Sequence, residues 1–465
     1  MNIKNICCIG AGYVGGPTMS VIAKFCPDIQ VNVVDINQKR ISQWNEKNLS
    51  DLPIYEPGLK EIVEKCRGKN LHFSTDLKKN IEKADMIFIS VNTPTKTRGI
   101  GSGQAIDLKY VEASSREISR YARGHTIVVE KSTLPVKTAQ TIKAILDAAT
   151  EDINKSKITK TFSVLSNPEF LAEGTAISDL ENPDRVLIGG EDKEAINELV
   201  NIYSKWIDKV KVLTTDLWSS ELSKLISNAF LAQRISSINT ISALCEATGA
   251  RIKDVSLAVG MDRRIGKYFL NSGPGFGGSC FKKDISNLVY ISNHYGLFEV
   301  ANYWQKVLDI NSWQQKRFVE LIVKKMFGTI SSKKIAILGF AFKANTNDTR
   351  ESPAINICKK LIEEGAFLKI YDPKVKEHQI IKELGLNENN KESREWEYSN
   401  SIYKTFEDVD AALFLTEWYE FASLNWRDIS KMMRKPSWVF DTRSIVDMDL
   451  VKENGINIWQ VGYGN

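Results

Sequence analysis

The feature that most constrains this chain is a glycine pattern read in its setting. The β-branched run Ile6–Ile9 leads straight into Gly10-Ala11-Gly12-Tyr13-Val14-Gly15, a helical pattern follows, and Asp35 stands twenty residues beyond Gly15 at the end of the next apolar run. In a strand–turn–helix unit the first glycine permits the tight turn, the second lets backbone approach a pyrophosphate, and the third allows helix to pack closely on strand. The helix then points its free N–H groups and the positive end of its dipole at the phosphates. The glycine pattern alone is weak evidence, because glycine-rich turns occur in α/β proteins that bind nothing. The strand before, the helix after and the acidic residue together read as a dinucleotide site. Asp35 would accept from the adenosine ribose hydroxyls and repel a 2′-phosphate, so NAD is expected over NADP, with Arg40 packing near the adenosine.

Such a site needs a sheet, and the first half of the chain supplies one. Val31–Asp35, Met86–Val91, Thr126–Glu130, Phe162–Ser166 and Val186–Ile188 read as buried strands between helical patterns. Val91, Asn92, Thr93, Pro94 and Thr95 close one of them and belong at the carboxyl edge of the sheet, where ligands collect. From Leu217 the pattern changes to long helices, one ending at Gly249 and another, Phe298–Phe327, at Gly328. Helices this long are expected to span two domains or to form an oligomer interface. βα alternation resumes at Lys333, with strands at Ile335–Gly339, Phe367–Tyr371, Ala411–Leu415 and Trp438–Phe440, while the polar stretch Lys382–Ser401 reads as a surface excursion. The expected fold is α/β: two Rossmann-like, doubly wound parallel-sheet domains, 1–216 and 331–465, joined by a long-helix central region, 217–330.

Composition narrows the chemistry. With 465 residues, 43% hydrophobic and 26% charged, the chain can build large cores without disulfides. Its seven cysteines are odd in number and lack zinc-type pairs, which points to a reducing compartment. The four histidines, His72, His125, His294 and His378, lie apart from every motif, so neither a metal site nor a Ser/His/Asp triad is expected. The net charge of +5 is scattered, as suits an anionic small molecule, and no nucleic-acid partner is expected. Met1 runs directly into a strand and no apolar run approaches the ~20 residues of a membrane helix, so a soluble cytoplasmic protein is expected.

The most informative chemistry lies at 273–284. Four glycines in the six residues from Gly273 to Gly278 free backbone N–H groups for a ligand, and a helix begins near Cys280. A helix N-terminus and the adjacent Lys282 and Lys283 favour thiolate at that cysteine, with Asp284 one turn on along the same face. An arbitrary cysteine is more often a small buried hydrophobe, and the other six keep that reading. Lys224 and Asn228, one turn apart on the long helix, could flank a developing oxyanion, although this spacing alone more often marks a solvated face. Glu169 and Glu173 follow a strand and are acid–base candidates, weighed evenly against surface solvation.

These motifs together resemble the UDP-glucose/GDP-mannose dehydrogenase family, and within it the UDP-glucose 6-dehydrogenases of eukaryotes. The resemblance runs from Ile6 to about Gly462, anchored by GAGYVG (10–15), VNTPT (91–95), EKSTLPV (130–136), SNPEFLAEGTAI (166–177), SSELSKLISNAFLAQRISSIN (219–239), GFGGSCFKKD (275–284) and ILGFAFKANTNDTRES (337–352). It implies an amino-terminal NAD domain, a helical dimerisation region, a carboxyl-terminal UDP domain, and a homo-oligomer, dimer or hexamer. It implies that Cys280 is the nucleophile, that Lys224, Asn228 and Asp284 serve the oxyanion and water, that Glu169 is the acid–base residue, and that Thr133 positions water. Beside the glycine loop, Asp35, Arg40 and 91–95, the cofactor side would include Ser132, Thr133, Glu173 and, from a neighbouring subunit, Arg350. UDP-glucose would meet Glu169, Phe170, Leu171, Ala172, Glu173, Lys224, Asn228, Phe276, Gly277, Gly278, Phe342, Lys343 and Arg443, with Arg264 reaching across a subunit interface. The implied reaction is a four-electron oxidation to UDP-glucuronate through a Cys280 thiohemiacetal and thioester, yielding two NADH. Arg98, Pro274 and the Lys391–Asn400 region depart from the family pattern without touching the proposed chemistry.

Dehydrogenases of GDP-mannose or UDP-N-acetylmannosamine share the cysteine logic and are the nearest alternatives. A single-step β-hydroxyacid dehydrogenase relies on Lys and needs no cysteine in a glycine loop. A non-enzymatic NAD-binding module would be free to lose Cys280, Lys224 or Asp284.

Overall fold

The computed structural model describes residues 3–151, 160–385 and 395–464. The chain divides into two compact units, Met1–Ser227 and Asn228–Asn465, and the cut falls within the helix Leu217–Thr248.

The first unit is built on a sheet of β1 (Asn5–Ile9), β2 (Gln30–Val34), β3 (Leu71–Ser74), β4 (Met86–Ile89), β5 (His125–Glu130), β6 (Thr161–Ser166), β7 (Val186–Gly190) and β8 (Val212–Thr215), in the order β3-β2-β1-β4-β5-β6-β7-β8. Neighbours run parallel except at β6–β7, which meet antiparallel through Leu165 and Ser166. Along β1 alternate residues serve opposite faces: Ile6 and Cys8 join one core, Cys7 and Ile9 the other. Burial on both faces explains the unbroken apolar run, each Ile contributing about 1.5–3 kcal/mol. β3 and β8 were absent from the sequence reading because they are short and polar on alternate positions or partly exposed.

The second unit carries β9 (Lys334–Leu338), β10 (Phe367–Tyr371), β11 (Trp396–Tyr398), β12 (Ala411–Phe414), β13 (Trp438–Asp441) and β14 (Asn457–Gln460), ordered β11-β10-β9-β12-β13-β14 and all parallel. Both sheets therefore repeat the same doubly wound order, with the strand direction of winding reversing beside β1 and again beside β9. The reading of Lys382–Ser401 as a surface excursion is corrected at its carboxyl end: Trp396–Tyr398 pairs in register with Leu368–Ile370, and Trp396 is buried in the core. The polar residues around it hid a three-residue edge strand; residues 386–394 lie outside the described residues.

Helix ends follow local chemistry. Asn37 and Asp192 accept backbone N–H bonds as N-caps, and Ser352 does so with Pro353 behind it at the first helical position. Leu217–Thr248 runs as expected to Gly249, which adopts a left-handed φ of 79°. Phe298–Lys325 stops just short of the expected Phe327. Among the described residues no helix is long and apolar enough to cross a membrane.

Candidate active site

In the first unit, Gly10 has φ 112°, and a Cβ there would lie 2.1 Å from the Ser90 carbonyl oxygen. A Cβ on Gly15 would meet the Gly10 carbonyl oxygen at 2.0 Å. Packing dictates glycine at both. At Gly12 a Cβ would meet no protein atom within 4 Å, so protein packing leaves that glycine unexplained, and close approach of a pyrophosphate explains it. The loop therefore fits NAD. Tyr13 and Val14 lead into the helix Gly15–Phe25.

Asp35 accepts the Ala11 N–H at 3.0 Å and the Asn37 N–H at 2.9 Å, and it pairs with Arg40 at 3.0 Å. Arg40 was expected beside the adenosine; its ion pair with Asp35 puts it at the same corner. The loops after β4 and β5 are stitched together: Ser132 Oγ donates to the Val91 carbonyl at 2.8 Å, and Thr93 Oγ1 to that of Thr133 at 3.2 Å. Asn92 is exposed, and Val91, Pro94, Thr95 and Thr133 are half-buried beside these bonds.

Glu169 lies just past β6, its side chain 13% exposed, and pairs at 2.8 Å with Lys131, which is 3% exposed. Burial alone would raise its carboxyl; the Lys131 ammonium, the Phe170 N–H and Lys224 outweigh that and hold it below the usual value. Burial would likewise depress Lys131, but Glu169 and Tyr203 carry it up to about 12. The Phe170 ring lies between the Arg185 guanidinium at 4.0 Å and the Lys224 ammonium at 5.3 Å. Leu171 packs on the core, Ala172 donates its N–H to Asp179 at 2.9 Å, and Glu173 is half-buried. Glu56 holds this loop by accepting from the Gly174 and Ala176 N–H groups at 2.7 and 3.1 Å.

In the second unit, Cys280 is the N-cap of the helix Phe281–His294 and the one half-buried cysteine of seven. Burial pushes the thiols of Cys26 up to about 11 and Cys7 up to about 12, and raises those of Cys8, Cys66, Cys245 and Cys358 as well. Asn228 donates to Asp284 at 2.6 Å, both buried. Lys224 and Asn228 are thus not a solvated helix face: each is nearly fully buried.

The glycine loop is braced by side chains. Asn311 accepts the Phe276 N–H at 2.8 Å and donates to its carbonyl at 3.1 Å, and a Cβ on Gly275 would strike Asn311 at 2.4 Å. Gly277 and Gly278 pack against Phe342, and Gly278 donates its N–H to the Arg350 carbonyl at 2.9 Å. Arg443 donates to the Leu415 and Phe342 carbonyls at 2.8 and 3.4 Å and pairs with Glu417 at 3.0 Å. The fold thus gathers Phe276, Gly277, Gly278, Phe342, Arg350 and Arg443 around the segment that carries Cys280, with Lys343 half-buried over the Phe342 ring. It does not gather Arg264, whose side chain is 84% exposed and pairs with Asp262. Lys131, Tyr203, Asn167, Asn311 and Glu56 escaped the sequence reading. Lys131 follows a strand that already ends in a charged residue, Glu130, so it left no signal of its own.

Three family models cover the chain: the NAD binding domain of the UDP-glucose/GDP-mannose dehydrogenase family at residues 4–207, its central domain at 218–313 and its UDP binding domain at 336–448. The UDP-glucose 6-dehydrogenase of Gallus gallus is 56% identical over 452 residues, 96% of this chain and 90% of that protein. UDP-glucose 6-dehydrogenase 1 of Glycine max is 53% identical over 478 residues, covering 98% and 96%. A solved UDP-glucose dehydrogenase from the archaeon Pyrobaculum islandicum superposes with a TM-score of 0.85 at 28% identity, over 100% of this chain and 98% of that one.

Proposed function

Because the chain belongs to the UDP-glucose/GDP-mannose dehydrogenase family and is an NAD-dependent dehydrogenase, we propose that it oxidises UDP-glucose to UDP-glucuronate on Cys280. The observation that carries the reading is a half-buried thiol at a helix N-terminus, on a braced glycine loop, one turn before a buried Asp284–Asn228 pair. NAD, held by the Gly10–Gly15 loop and Asp35, accepts the hydrides when bound.

The C6 alcohol loses a proton and a hydride and becomes an aldehyde. The Cys280 thiolate adds to it as a thiohemiacetal, which loses a second hydride to become a thioester. Water then splits the C–S bond, leaving a carboxylate and the free thiol. A covalent hold keeps the reactive aldehyde from leaving between the two oxidations. Lys224 and Asn228 supply a cation and an amide donor to the oxyanion. Glu169, held as a carboxylate, orients the hydrolytic water together with Thr133. Lys343 and Arg443 supply charge for the substrate pyrophosphate, joined by Arg264 and Arg350 offered from a neighbouring subunit. Exposed Leu244, Leu257, Met261 and Tyr268, 57–78% accessible, suit burial in a homo-oligomer, dimer or hexamer. Seven free thiols suit a cytoplasmic location.

The test is NADH counted against substrate consumed, with UDP-glucose, GDP-mannose and UDP-N-acetylmannosamine offered in turn. Two NADH per UDP-glucose and UDP-glucuronate as product are expected. One NADH with a free aldehyde released would end the thioester reading, and preference for either other sugar would reassign the substrate.

A further inference from the structure

The mechanism above gives no part to a buried cation, Lys131, just past β5. Three acceptors surround its ammonium: Glu169 Oε2 at 2.8 Å, Asn167 Oδ1 at 3.1 Å and the Tyr203 hydroxyl at 3.2 Å. An ammonium has three protons to donate, so this set accounts for all of them. The acceptors are themselves tied down. Tyr203 donates to Asn167 Oδ1 at 2.6 Å, and Asn167 Nδ2 donates to the Leu187 carbonyl at 2.8 Å. Glu169 Oε1 meanwhile accepts the Phe170 and Leu171 N–H groups at 2.8 and 3.2 Å, and Thr18 Oγ1 reaches Oε2 at 3.4 Å.

We propose that Lys131 is a positioning residue for Glu169, fixing its carboxylate at the carboxyl edge of the first sheet and keeping it ionised through the catalytic cycle. The proposal rests on the reading of Glu169 as the residue that handles the hydrolytic water. A carboxyl this buried and lacking a cation would take up a proton, and a protonated Glu169 could neither accept strongly from water nor share its proton. The groups facing it are Lys131 from β5, Thr18 from the helix Gly15–Phe25, the N–H groups of its own loop and, more weakly, Lys224 from the long helix. Tyr203 faces Lys131 from the helix Lys193–Tyr203. The arrangement has a chemical consequence. A carboxylate stabilised in this way is a weaker base, so it shares the water's proton as the C–O bond forms rather than removing it beforehand.

The experiment follows the NADH burst and the hydrolysis rate of the Cys280 adduct against pH, with the adduct weighed by intact-protein mass spectrometry. Glu169→Gln is expected to give the burst, then stall with UDP-glucuronyl on Cys280. Lys131→Met should slow hydrolysis about tenfold at neutral pH and recover at alkaline pH, its acid limb moved up by roughly one unit or more. Lys131→Arg, which stays charged, should leave the acid limb in place. The double variant Lys131→Met/Glu169→Gln leaves no lone buried charge and guards against misfolding; it should hydrolyse as slowly as Glu169→Gln alone. Equal slowing at every pH by Lys131→Met, or a double variant slowed further by that same factor, would overturn the proposal. If Glu169→Gln hydrolyses at the wild-type rate, the Glu169 reading fails instead, whatever Lys131→Met does to the pH profile.

Discussion

Asp35 and Asp372 occupy the same place in the two sheets and meet different fates. Each follows the second strand, and each accepts an N–H from the first βα loop: Ala11 for Asp35, Phe340 and Ala341 for Asp372. Asp372 also accepts from Lys374 N, Val375 N and Trp418 Nε1 and is buried, so its capacity is used within the protein. Asp35 accepts fewer such bonds, from Ala11 and Asn37, and pairs with a cation, Arg40. Asp35→Asn keeps one of the two backbone bonds, because only its Oδ1 accepts, removes the charge that repels a 2′-phosphate, and releases Arg40 toward one. The ratio of kcat/KM for NADP to that for NAD should rise about tenfold, the equivalent of ~1.4 kcal/mol. A wild type that already prefers NADP would refute this account of Asp35.

At the scale of elements, the junction of β5 with the long helix holds two carboxyl groups and no cation among the groups that shift them. Glu221 accepts the Lys137 and Ala139 N–H groups, both at 2.7 Å, at the start of the helix Thr138–Glu151, and so acts as its acceptor cap. Burial, then Glu221, push the Glu130 carboxyl well above its ordinary range. Burial also raises Glu221, but the backbone N–H groups oppose it, so Glu130 is the partner that keeps the proton. The linkage has a definite sign. Folded Glu130 holds a proton that the unfolded chain releases above about pH 4.3. Stability is therefore highest below that value and falls as pH rises toward the folded pKa. Glu130→Gln preserves a donor to Glu221 and does not titrate. The decline in Tm as pH rises above about 4.3 should flatten in the variant; an unchanged slope would show that Glu130 is ionised in the folded protein.

For the whole molecule, assembly is the issue. Among the described residues Arg264 pairs within its own loop, and it stands far out in solvent, a poor place for a substrate ligand unless another subunit presents its site there. Arg264→Ala and Cys280→Ser should each be inactive, and mixing them should restore partial activity if subunits exchange. Up to about a quarter of the sites of a randomly mixed dimer pair would combine an intact cysteine with an intact neighbouring arginine, so recovery on the order of a quarter is expected. No recovery, with exchange verified by mass, would place Arg264 in its own subunit's site.

The two sheets were legible in the sequence because strands buried on both faces must be apolar throughout, and the dinucleotide loop because tight turns and close approach demand glycine at Gly10 and Gly15. Cys280 was singled out by its glycine-rich neighbours, and the structure gives those glycines a packing reason, a Cβ on Gly275 lying 2.4 Å from Asn311. The edge strands β3, β8, β11 and β14 were not legible, since one-sided or partial burial leaves no continuous apolar run. Nor were the partners of Glu169. Lys131, Asn167 and Tyr203 stand 36 and 72 residues apart along the chain when counted from Lys131, and each alone is an ordinary residue. Composition and spacing by themselves determined the fold class, two parallel-sheet α/β domains with a long helix between them. Only tertiary packing decided which buried charges face one another, because a charge is tolerated inside a protein by its neighbours in space, and sequence lists neighbours along the chain.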